Sequence, residues 1–502
     1  MIGSERALPI AWGKIMKRVI LVIVAVIVVL LAVVIGRTAM LAQPPSAAQS
    51  TPPVAVNAMG VAQHLAQAVR FQTISYGGGL HEAEKDAALD AMRAWLAKTY
   101  PNFQRVATRE VIGKSLLFAW KGENPNLPPV LLMAHMDVVP VVPGTEKDWS
   151  HPPFAGDVSG GYVWGRGAID DKGCLIMIME AAERLASMGF TPARTIMIAA
   201  GQDEEVGGSQ GNAVVAALLA KRGVHFAWVL DEGGQILDEP FPGVLRPMAA
   251  VAIAEKGYLS LELVAHGEGG HSSRPTHDMA VVRLAQAVLS VVDHPFASGL
   301  DDIQREKYEA IAPFVPFPQR MLLANLWLTA PIVARTMETQ PEQAARLHTT
   351  IAPTILTAGI KDNVIPPDAR ATINFRLHPR DTIDGVIEHV RKAVDDPKVD
   401  VVALNETQSE ASKVADIHGR AYTFLAQEIQ RSFNGIPVTP DITTGATDSR
   451  HYMPIADDVL RLDPFHFAPD DLHMIHGTNE RLAIRDIAPA VAFYIRLMKD
   501  WK

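Results

Sequence analysis

The sequence predicts an α/β protein with a mainly parallel mixed sheet and an inserted α+β domain. From about residue 58, segments with helical spacing alternate with short apolar runs such as PVLLMAHMDVV, a pattern typical of βαβ units. Several of these runs end in acidic loops, as happens at the carboxyl edge of a parallel sheet. From about residue 256 the order becomes strand–helix–strand–strand–helix, which predicts a small ferredoxin-like domain.

Length and composition favour a largely globular chain with more than one structural unit. The chain has 502 residues, of which 48% are hydrophobic and 20% are charged. Its formal net charge of −9 argues against nucleic acid as a partner. Cys174 is the single cysteine, which excludes an intramolecular disulfide and any CxxC metal site. A bound metal would therefore be held by His, Asp and Glu.

The N-terminal segment is expected to be a membrane anchor. Basic residues precede the apolar run VILVIVAVIVVLLAVVI, which is longer than the apolar region of most signal peptides. No convincing A-x-A site follows, so an anchor is favoured over a cleaved signal. We expect residues 1–18 in the cytoplasm, a transmembrane signal anchor at 19–36 and a flexible linker at 37–57. The body would then be periplasmic or extracellular.

Acidic residues and histidines follow three successive expected strands and recur near the C-terminus. In LLMAHMDVVP, His135 and Asp137 share one face of an extended strand, and burying both costs free energy unless they are compensated. The further motifs are GRGAIDDKG with Asp170, GQDEEVGG with Glu204 and Glu205, VLDEGG with Asp231 and Glu232, and LHMIHGTNER with His476. Carboxylates and imidazoles that converge on one sheet edge form a ligand set that suits zinc.

Taken together, these motifs resemble the M20 metallopeptidases. HMD, GRGAIDDKG, DEEVGG, DEGG, GGHSSRP and IHGTNER stand in that family's order over residues 58–502. The long insert, INFRLHP and GATDSR are most like the carboxypeptidase S and PM20D1 branch. The resemblance implies a zinc-exopeptidase-type catalytic domain formed by residues 58–255 and 409–502. It also implies a lid and dimerisation domain at 256–408, through which a homodimer would form.

The resemblance further implies a centre with two zinc ions. Its ligands would be His135, Asp170 as the bridge, Glu205, His476, and either Asp231 or Glu232. We favour Asp231 over Glu232, because an aspartate fits this branch. Glu204 matches the general base that activates water, and Asp137 matches the carboxylate that orients His135.

Residues that contact the substrate are expected in the later motifs. His271 in GGHSSRP matches a lid histidine that stabilises the oxyanion in the family, often from the partner subunit; a plain turn histidine is the alternative. Arg376 in NFRLHP and Arg450 in GATDSR are candidates for binding a substrate carboxylate, although a structural salt bridge suits each nearly as well. Asn363 in KDNVIPP is a candidate for hydrogen bonding to the substrate backbone.

The resemblance implies an amide hydrolase, and two substrate classes stay open. We favour removal of the C-terminal residue from short peptides over hydrolysis or synthesis of N-fatty-acyl amino acids. The apolar stretch within residues 300–350 suits an acyl-chain groove, but also lid core or a dimer surface. Remote alternatives are a serine hydrolase that uses Ser209 of GGSQG and a non-catalytic binding protein. We interpret Cys174 as a packing residue.

Overall fold

The computed structural model describes residues 8–41, 54–241, 244, 246–404 and 408–502, with the backbone alone for residues 8–14. Residues 1–7 of the expected cytoplasmic segment and residues 42–53 of the expected linker lie outside the described residues. The α-helices are α1 (Leu8–Met40), α2 (Ala58–Val69), α3 (Glu82–Thr99), α4 (Pro101–Val106), α5 (Lys172–Ser187), α6 (Asn212–Lys221), α7 (Ala280–Asp293), α8 (Asp302–Ile311), α9 (Phe317–Leu323), α10 (Leu326–Met337), α11 (Pro341–Ala344), α12 (Ile383–Val394), α13 (Arg420–Ser432) and α14 (Ile484–Asp500).

In the described part of the chain the strands form a large sheet, a smaller second sheet, a three-stranded sheet and a separate pair. They are β1 (Thr108–Ile112), β2 (Ser115–Trp120), β3 (Val130–His135), β4 (Asp157–Ser159), β5 (Tyr162–Trp164), β6 (Ile196–Gly201), β7 (Phe226–Leu237), β8 (Met248–Glu255), β9 (Gly257–His266), β10 (Gly270–His271), β11 (Thr350–Ala358), β12 (Val364–Ile365), β13 (Asp368–Leu377), β14 (Val399–Ala403), β15 (Val438–Thr443), β16 (Ala456–Phe467) and β17 (Arg481–Ala483). The three-stranded sheet consists of β4, β5 and β17, and the pair consists of β10 and β12.

The large sheet contains, among the described residues, eight strands in the order β1-β2-β6-β3-β7-β16-β8-β15. The central strands β6, β3, β7 and β16 pair in parallel. Antiparallel pairs join β1 to β2, β2 to β6 and β7 to β8. The expected mixed sheet is confirmed, and its central strands run parallel.

Strand β3 is buried along its whole length because helices cover both faces of the sheet. Leu132 and Ala134 pack into a core shared with α2, α5 and α14, while Leu131 and Met133 pack into a second core shared with α6. Alternate side chains therefore enter different cores. Burial on both faces explains the continuous apolar run that precedes His135 in the sequence.

The carboxyl ends of β3 and β6 lie side by side at one edge of the large sheet. His135, the last residue of β3, is opposite Gly201, the last residue of β6. On the other side of β3, Leu132 is opposite Leu230 of β7, one residue before Asp231. The acidic motifs that follow these strands are thereby brought to one edge.

The second sheet lies within residues 257–403 and has, in the same described ranges, four antiparallel strands in the order β11-β13-β9-β14. Helices α7 and α12 pack on it around a separate cluster that includes Leu261 and Phe375. The chain order is β-α-β-β-α-β, as in ferredoxin-like folds. Helices α8 to α11 stand between α7 and β11; residues 300–348 are called the helical insert below.

Helix α1 continues past the expected anchor at 19–36 into the segment assigned to the linker, ending at Met40. The stretch Ile15–Met40 is long and apolar enough to cross a membrane, and its most apolar 18-residue window has a mean hydropathy of 3.7. A signal sequence near an N-terminus shares these properties. The helical extension has a packing reason. Thr38 is buried, and the Arg37 Nε–H donates to Ala324 O at 3.2 Å. The last turns of α1 therefore pack on the helical insert.

Candidate metal centre and active site

Asp170 lies between two histidines from distant parts of the chain. Its Oδ1 is 2.9 Å from His135 Nε2, and its Oδ2 is 3.1 Å from His476 Nε2. The peptide bond from Asp170 to Asp171 is cis. A carboxylate that faces two imidazoles through separate oxygens has the arrangement expected of a ligand shared by two metal ions.

Glu205 completes this group on the side of His476. Its Oε2 is 3.1 Å from His476 Nε2, while its Oε1 accepts the Val139 N–H at 3.2 Å. One ligand atom from each of His135, Asp170 and Glu205 lies within 4.8 Å of the other two. This spacing makes the three residues candidates for a metal-binding group.

The Asp137 carboxylate holds the loop after β6 against β3. It accepts the N–H groups of Glu204 at 3.1 Å and Glu205 at 3.2 Å, and the Ser75 hydroxyl at 2.7 Å. His135 Nδ1 lies 3.0 Å from the Asp137 main-chain carbonyl and 3.5 Å from its carboxylate. The carbonyl, rather than the expected carboxylate, is the nearer partner of the imidazole, because the carboxylate is engaged by backbone amides. Either contact directs Nε2 into the site.

A buried ion pair that the sequence analysis did not assign holds the loop of residues 167–170. Arg166 Nη1 donates to Glu480 Oε2 at 2.6 Å, and Glu480 also accepts three N–H groups of this loop at 2.9–3.1 Å. Arg166 Nη2 donates to Gly477 O at 2.7 Å, next to His476. One pair thus positions two candidate ligands. Arg166 lies inside GRGAIDDKG and Glu480 inside IHGTNER, and this position within motifs was the sequence feature that could have identified them.

Asp231 and Glu232 lie in β7 beside the centre, but in different surroundings. Asp231 is buried, and its Oδ2 accepts the Ser449 N–H at 2.8 Å. Glu232 lines the cleft described below, and its Oε2 has no hydrogen-bond partner within the described part of the chain. Burial raises the pKa of Glu232 well above its usual range, and the charge of Asp231 raises it further. Both stay candidates for the remaining ligand.

The carboxylates of this site repel one another. Burial raises the pKa of Glu204 well above its usual range, and the charges of Asp448 and Glu205 add to the shift. Burial likewise raises the pKa of Glu205 to about 7, with repulsion from Asp170. Hydrogen bonds to Asp170 and Glu205 raise the pKa of His476 to about 10. Without a bound cation, protons therefore compensate part of the negative charge of these carboxylates.

The donor set fits a divalent metal. Carboxylate oxygens and imidazole nitrogens are the ligands that zinc accepts when cysteine is absent. A nearby positive ion favours the charged form of a carboxylate, so it would offset the repulsion that raises the pKa of Glu205. The unpartnered Oε2 of Glu232 provides a further acceptor at the same place.

A cleft of about 250 Å³ opens beside the centre. Small residues of β8 and of the loop after β15 contribute to its walls, as does Arg346 of the helical insert. Arg346 Nε lies 3.3 Å from Asp441, whose carboxylate also accepts the Lys307 Nζ–H at 2.7 Å. The helical insert is therefore tied to the large sheet where it borders the cleft. The candidate catalytic residues that line the cleft are Asp170, Glu204, Glu232 and His476.

His271 and Asn363 are brought together at the paired strands β10 and β12, which are separate from the four strands of the second sheet. His271 is exposed in β10, which pairs with β12, and its Nδ1 accepts the Ser273 N–H at 3.1 Å. Asn363 precedes β12, and its carbonyl accepts the Ser272 N–H at 3.3 Å. Among the residues that the structure describes, neither lines the cleft of its own chain.

Arg376 and Arg450 lie within electrostatic reach of each other, one in each part of the fold. The Arg376 guanidinium lies 4.6 Å from the centre of the Tyr258 ring, and Arg450 Nη2 donates to Gly207 O at 2.7 Å. Burial lowers the pKa of Arg376, and the charge of Arg450 lowers it further. Across the described ranges neither arginine forms a salt bridge, and their contacts are the Tyr258 ring for Arg376 and the Gly207 carbonyl for Arg450.

Ser209 does not occupy a nucleophile elbow. Strand β6 ends at Gly201, and a 3-10 turn at Glu204–Val206 separates it from Ser209, which is exposed. A G-x-S-x-G nucleophile should follow its strand directly. Cys174 is buried in α5, where burial raises the pKa of its thiol, in agreement with a packing role.

The parallel sheet edge and its imidazole–carboxylate group have the donor set of a metal-dependent hydrolase. The model of peptidase family M20/M25/M40 matches residues 131–500, and the chain belongs to this family. It is therefore an enzyme of a family of metallopeptidases and amidohydrolases.

Two relatives place the chain in the expected branch. Probable carboxypeptidase S-like 2 from Dictyostelium discoideum is 37% identical over 443 residues, which is 88% of this chain and 85% of the relative. N-fatty-acyl-amino acid synthase/hydrolase PM20D1 from Xenopus tropicalis is 36% identical over 440 residues, 86% of this chain and 84% of the relative. Among solved structures, the M20 family metallo-carboxypeptidase Sso-CP2 from Sulfolobus solfataricus has the same fold. Its TM-score is 0.62 at 16% identity, over 88% of this chain and 99% of that one.

Proposed function

We propose that this chain is a zinc-dependent amide hydrolase that removes the C-terminal residue from short peptides. The observation that carries the proposal is the Asp170 carboxylate, whose oxygens face His135 and His476 separately. A shared carboxylate is the central ligand of two-metal hydrolytic sites. The relative named carboxypeptidase S-like 2 supports this reaction type. The cleft of about 250 Å³ beside the centre can accept a small substrate.

The metal ligands are assigned by which groups face Asp170. One ion would be held with His135 and with Asp231 or Glu232, the other with Glu205 and His476. When bound, the two zinc ions would polarise the scissile carbonyl and lower the pKa of water.

Glu204 is the proposed general base. It takes a proton as water attacks the amide carbonyl and delivers it to the leaving amine. Two features support this role. Glu204 lines the cleft, and its backbone is fixed by the Asp137 carboxylate, so its side chain starts from a defined position. A pKa above the usual range of a glutamate also suits a group that must both accept and donate a proton near neutral pH.

The substrate carboxylate is proposed to bind between Arg376 and Arg450. These two guanidinium groups form no salt bridge among the described residues, so their charges repel each other, and an anion between them would offset that repulsion. Asn363 would bind the substrate backbone, and the partner's His271 would donate to the oxyanion. This arrangement needs a homodimer formed through the lid domain at 256–408.

The assignment extends to domains and location. Residues 58–255 and 409–502 are the proposed catalytic domain, and residues 256–408 are the proposed lid. Helix α1 is the proposed signal anchor, which leaves the body outside the cytoplasm.

A second candidate is hydrolysis or synthesis of N-fatty-acyl amino acids. It uses the same amide chemistry and the same carboxylate contact. Two observations favour it: the relative named PM20D1 synthase/hydrolase, and the exposed apolar side chains of the helical insert, which also borders the cleft.

The test compares a dipeptide with an N-fatty-acyl amino acid that has the same C-terminal residue, using the full chain in detergent with and without chelator. Chelator-sensitive cleavage and about two zinc ions per chain would support the proposal. The preferred substrate decides between the candidates. Activity that persists after complete metal removal would contradict both, and Glu204→Gln serves as the inactive control.

A further inference from the structure

We propose that the helical insert lies in the membrane interface, so that α1 and the insert bind the bilayer as one unit. This inference rests on the proposed role of α1 as an anchor and extends it to the catalytic body. It assigns a lipid surface as the partner of an apolar face that the described chain leaves uncovered.

The first observation is where α1 meets the insert. Val34 and Thr38 lie on one face of α1, and both become partly or wholly buried there. Asn325 Nδ2 donates to Val34 O and to Thr38 Oγ1, each at 3.3 Å. Because Val34 still belongs to the apolar run, Asn325 is level with the last turn of the segment that would cross the membrane.

The second observation is the composition of the face beside this contact. Trp327, Leu328 and Ile332 share the outer face of α10 and are 51%, 49% and 57% exposed. Phe317, at the start of α9, is 53% exposed, and α9 itself packs against α1. Farther along the outer face of α10 the exposed residues become polar, starting with Arg335. Large apolar side chains are thus concentrated at the end of the helix nearer to α1.

Position identifies the lipid surface as the occupant. Trp327 is two residues from Asn325, which contacts the end of the apolar run, so a bilayer around α1 would reach Trp327 as well. Tryptophan prefers the membrane–water interface, and a helix with an apolar face and a basic residue beyond it suits that plane. If this face pointed to water, these apolar side chains would stay exposed next to the bilayer, and the free energy of burying them in lipid would be lost.

The inference has a consequence for the second candidate substrate. Arg346 at the end of the insert lines the cleft, and Lys307 of the same insert binds Asp441 of the large sheet. The helical insert therefore extends from its proposed membrane-facing side to the cleft beside the candidate metal centre. An N-acyl amino acid held in the outer leaflet would reach the cleft by way of this insert.

The experiment measures quenching of a fluorophore by lipids that carry a spin label at known depth, with the full chain in vesicles. Cys174 is 1% exposed, so a cysteine introduced on the surface is labelled selectively. The test position is Leu328→Cys and the depth reference is Ile27→Cys in the middle of α1. Val214→Cys on α6 is the control, an apolar helical position of similar exposure, 42%, far from α1 in sequence.

We expect deep quenching at position 27, shallow quenching at 328 and none at 214. Quenching at 27 without quenching at 328 would overturn the inference and leave the anchor intact. A label at 328 that is shielded from water but not quenched by lipid would assign the face to a protein partner and would also overturn it. Absence of quenching at both 27 and 328 would overturn the anchor together with the inference.

Discussion

The Asp137 carboxylate accepts the backbone N–H of Glu204 at 3.1 Å, so the acidic residue next to the first candidate ligand also positions the candidate base. Because the contact is made by the main chain, the loop that carries Glu204 does not depend on the Glu204 side chain for its shape. A substitution of the Glu204 side chain can therefore change proton transfer without changing the conformation of the loop.

Glu204→Gln should retain metal and lose turnover. An amide of the same shape cannot take the proton from water, and general-base catalysis contributes about 10²–10⁴-fold. Metal content by elemental analysis and kcat on a dipeptide are the measurements. Glu205→Gln is the matched control, since the adjacent carboxylate contacts His476 and its loss should lower metal content. A Glu204→Gln enzyme with near-normal kcat would exclude the assignment.

Asp231→Asn and Glu232→Gln should differ in metal content. If Asp231 is the ligand, as we favour, Asp231→Asn should lose about one ion per chain and Glu232→Gln should keep both. Elemental analysis after gel filtration distinguishes the two. The reverse result would assign the ligand to Glu232, whose Oε2 has no other partner among the residues described.

Zinc affinity should rise with pH between about 6 and 8. Without metal, Glu205 has a pKa of about 7 and His476 of about 10, so both bind protons in the lower part of this range. Metal must displace those protons, which costs free energy that falls as pH rises, at about tenfold in affinity per pH unit for each proton released. Competition with a chromophoric chelator measures the slope. A shallower slope is expected for Glu205→Gln, and a pH-independent affinity would contradict the prediction.

Two inactive variants should complement each other in a mixed dimer. A chain with His271→Ala keeps its own Glu204, and a Glu204→Gln partner supplies an intact histidine to it. Random pairing gives about a quarter of wild-type activity, because half the dimers are mixed and each has one complete site. Co-expression with two affinity tags isolates the mixed dimer. Full loss of activity in that dimer would place His271 in the site of its own chain, whereas an active His271→Ala homodimer would place it outside catalysis.

Arg166→Met should destabilise the fold by about 3–5 kcal/mol, because it leaves the Glu480 carboxylate buried without its cation. Denaturant unfolding in detergent measures the loss. Arg222→Met is the control, since Arg222 pairs with Glu110 at 2.8 Å on the surface and such pairs contribute at most about 1 kcal/mol. An equal loss of unfolding free energy in the two variants would show that the buried position of the Arg166–Glu480 pair does not increase its contribution to stability.

Local pattern was enough to predict the centre of the fold. β3 and β6 are apolar runs followed by acidic loops, and the parallel edge that they share follows from that alternation. The antiparallel pair β2–β6 joins residues far apart in the sequence, and strand periodicity does not specify such partners. Helix α1 extends to Met40 because Thr38 and Arg37 contact the helical insert, a tertiary interaction that polarity alone could not indicate.

The candidate site shows the same division. His135, Asp170, Glu205 and His476 were identified from motifs, and the structure brings them together. The Arg166–Glu480 pair was missed because its residues are 314 positions apart, and although each lies in a motif, neither motif indicates that the two side chains meet. The expected contact of the Asp137 carboxylate with His135 was only partly right, since the backbone amides of the loop after β6 compete for that carboxylate.

The buried pair of Arg166 and Glu480 also sets an order of events during biosynthesis. Glu480 binds the loop that carries Asp170, and it follows that residue by 310 positions in the chain. A nascent chain can fold β3 and β6 early, but it has neither His476 nor the Glu480 carboxylate that holds the Asp170 loop until residues 476–480 have been made. The hydrolytic centre is thus assembled only after the strands of the large sheet and of the second sheet have been synthesised, and a chain that stalls before residue 476 would have no complete site.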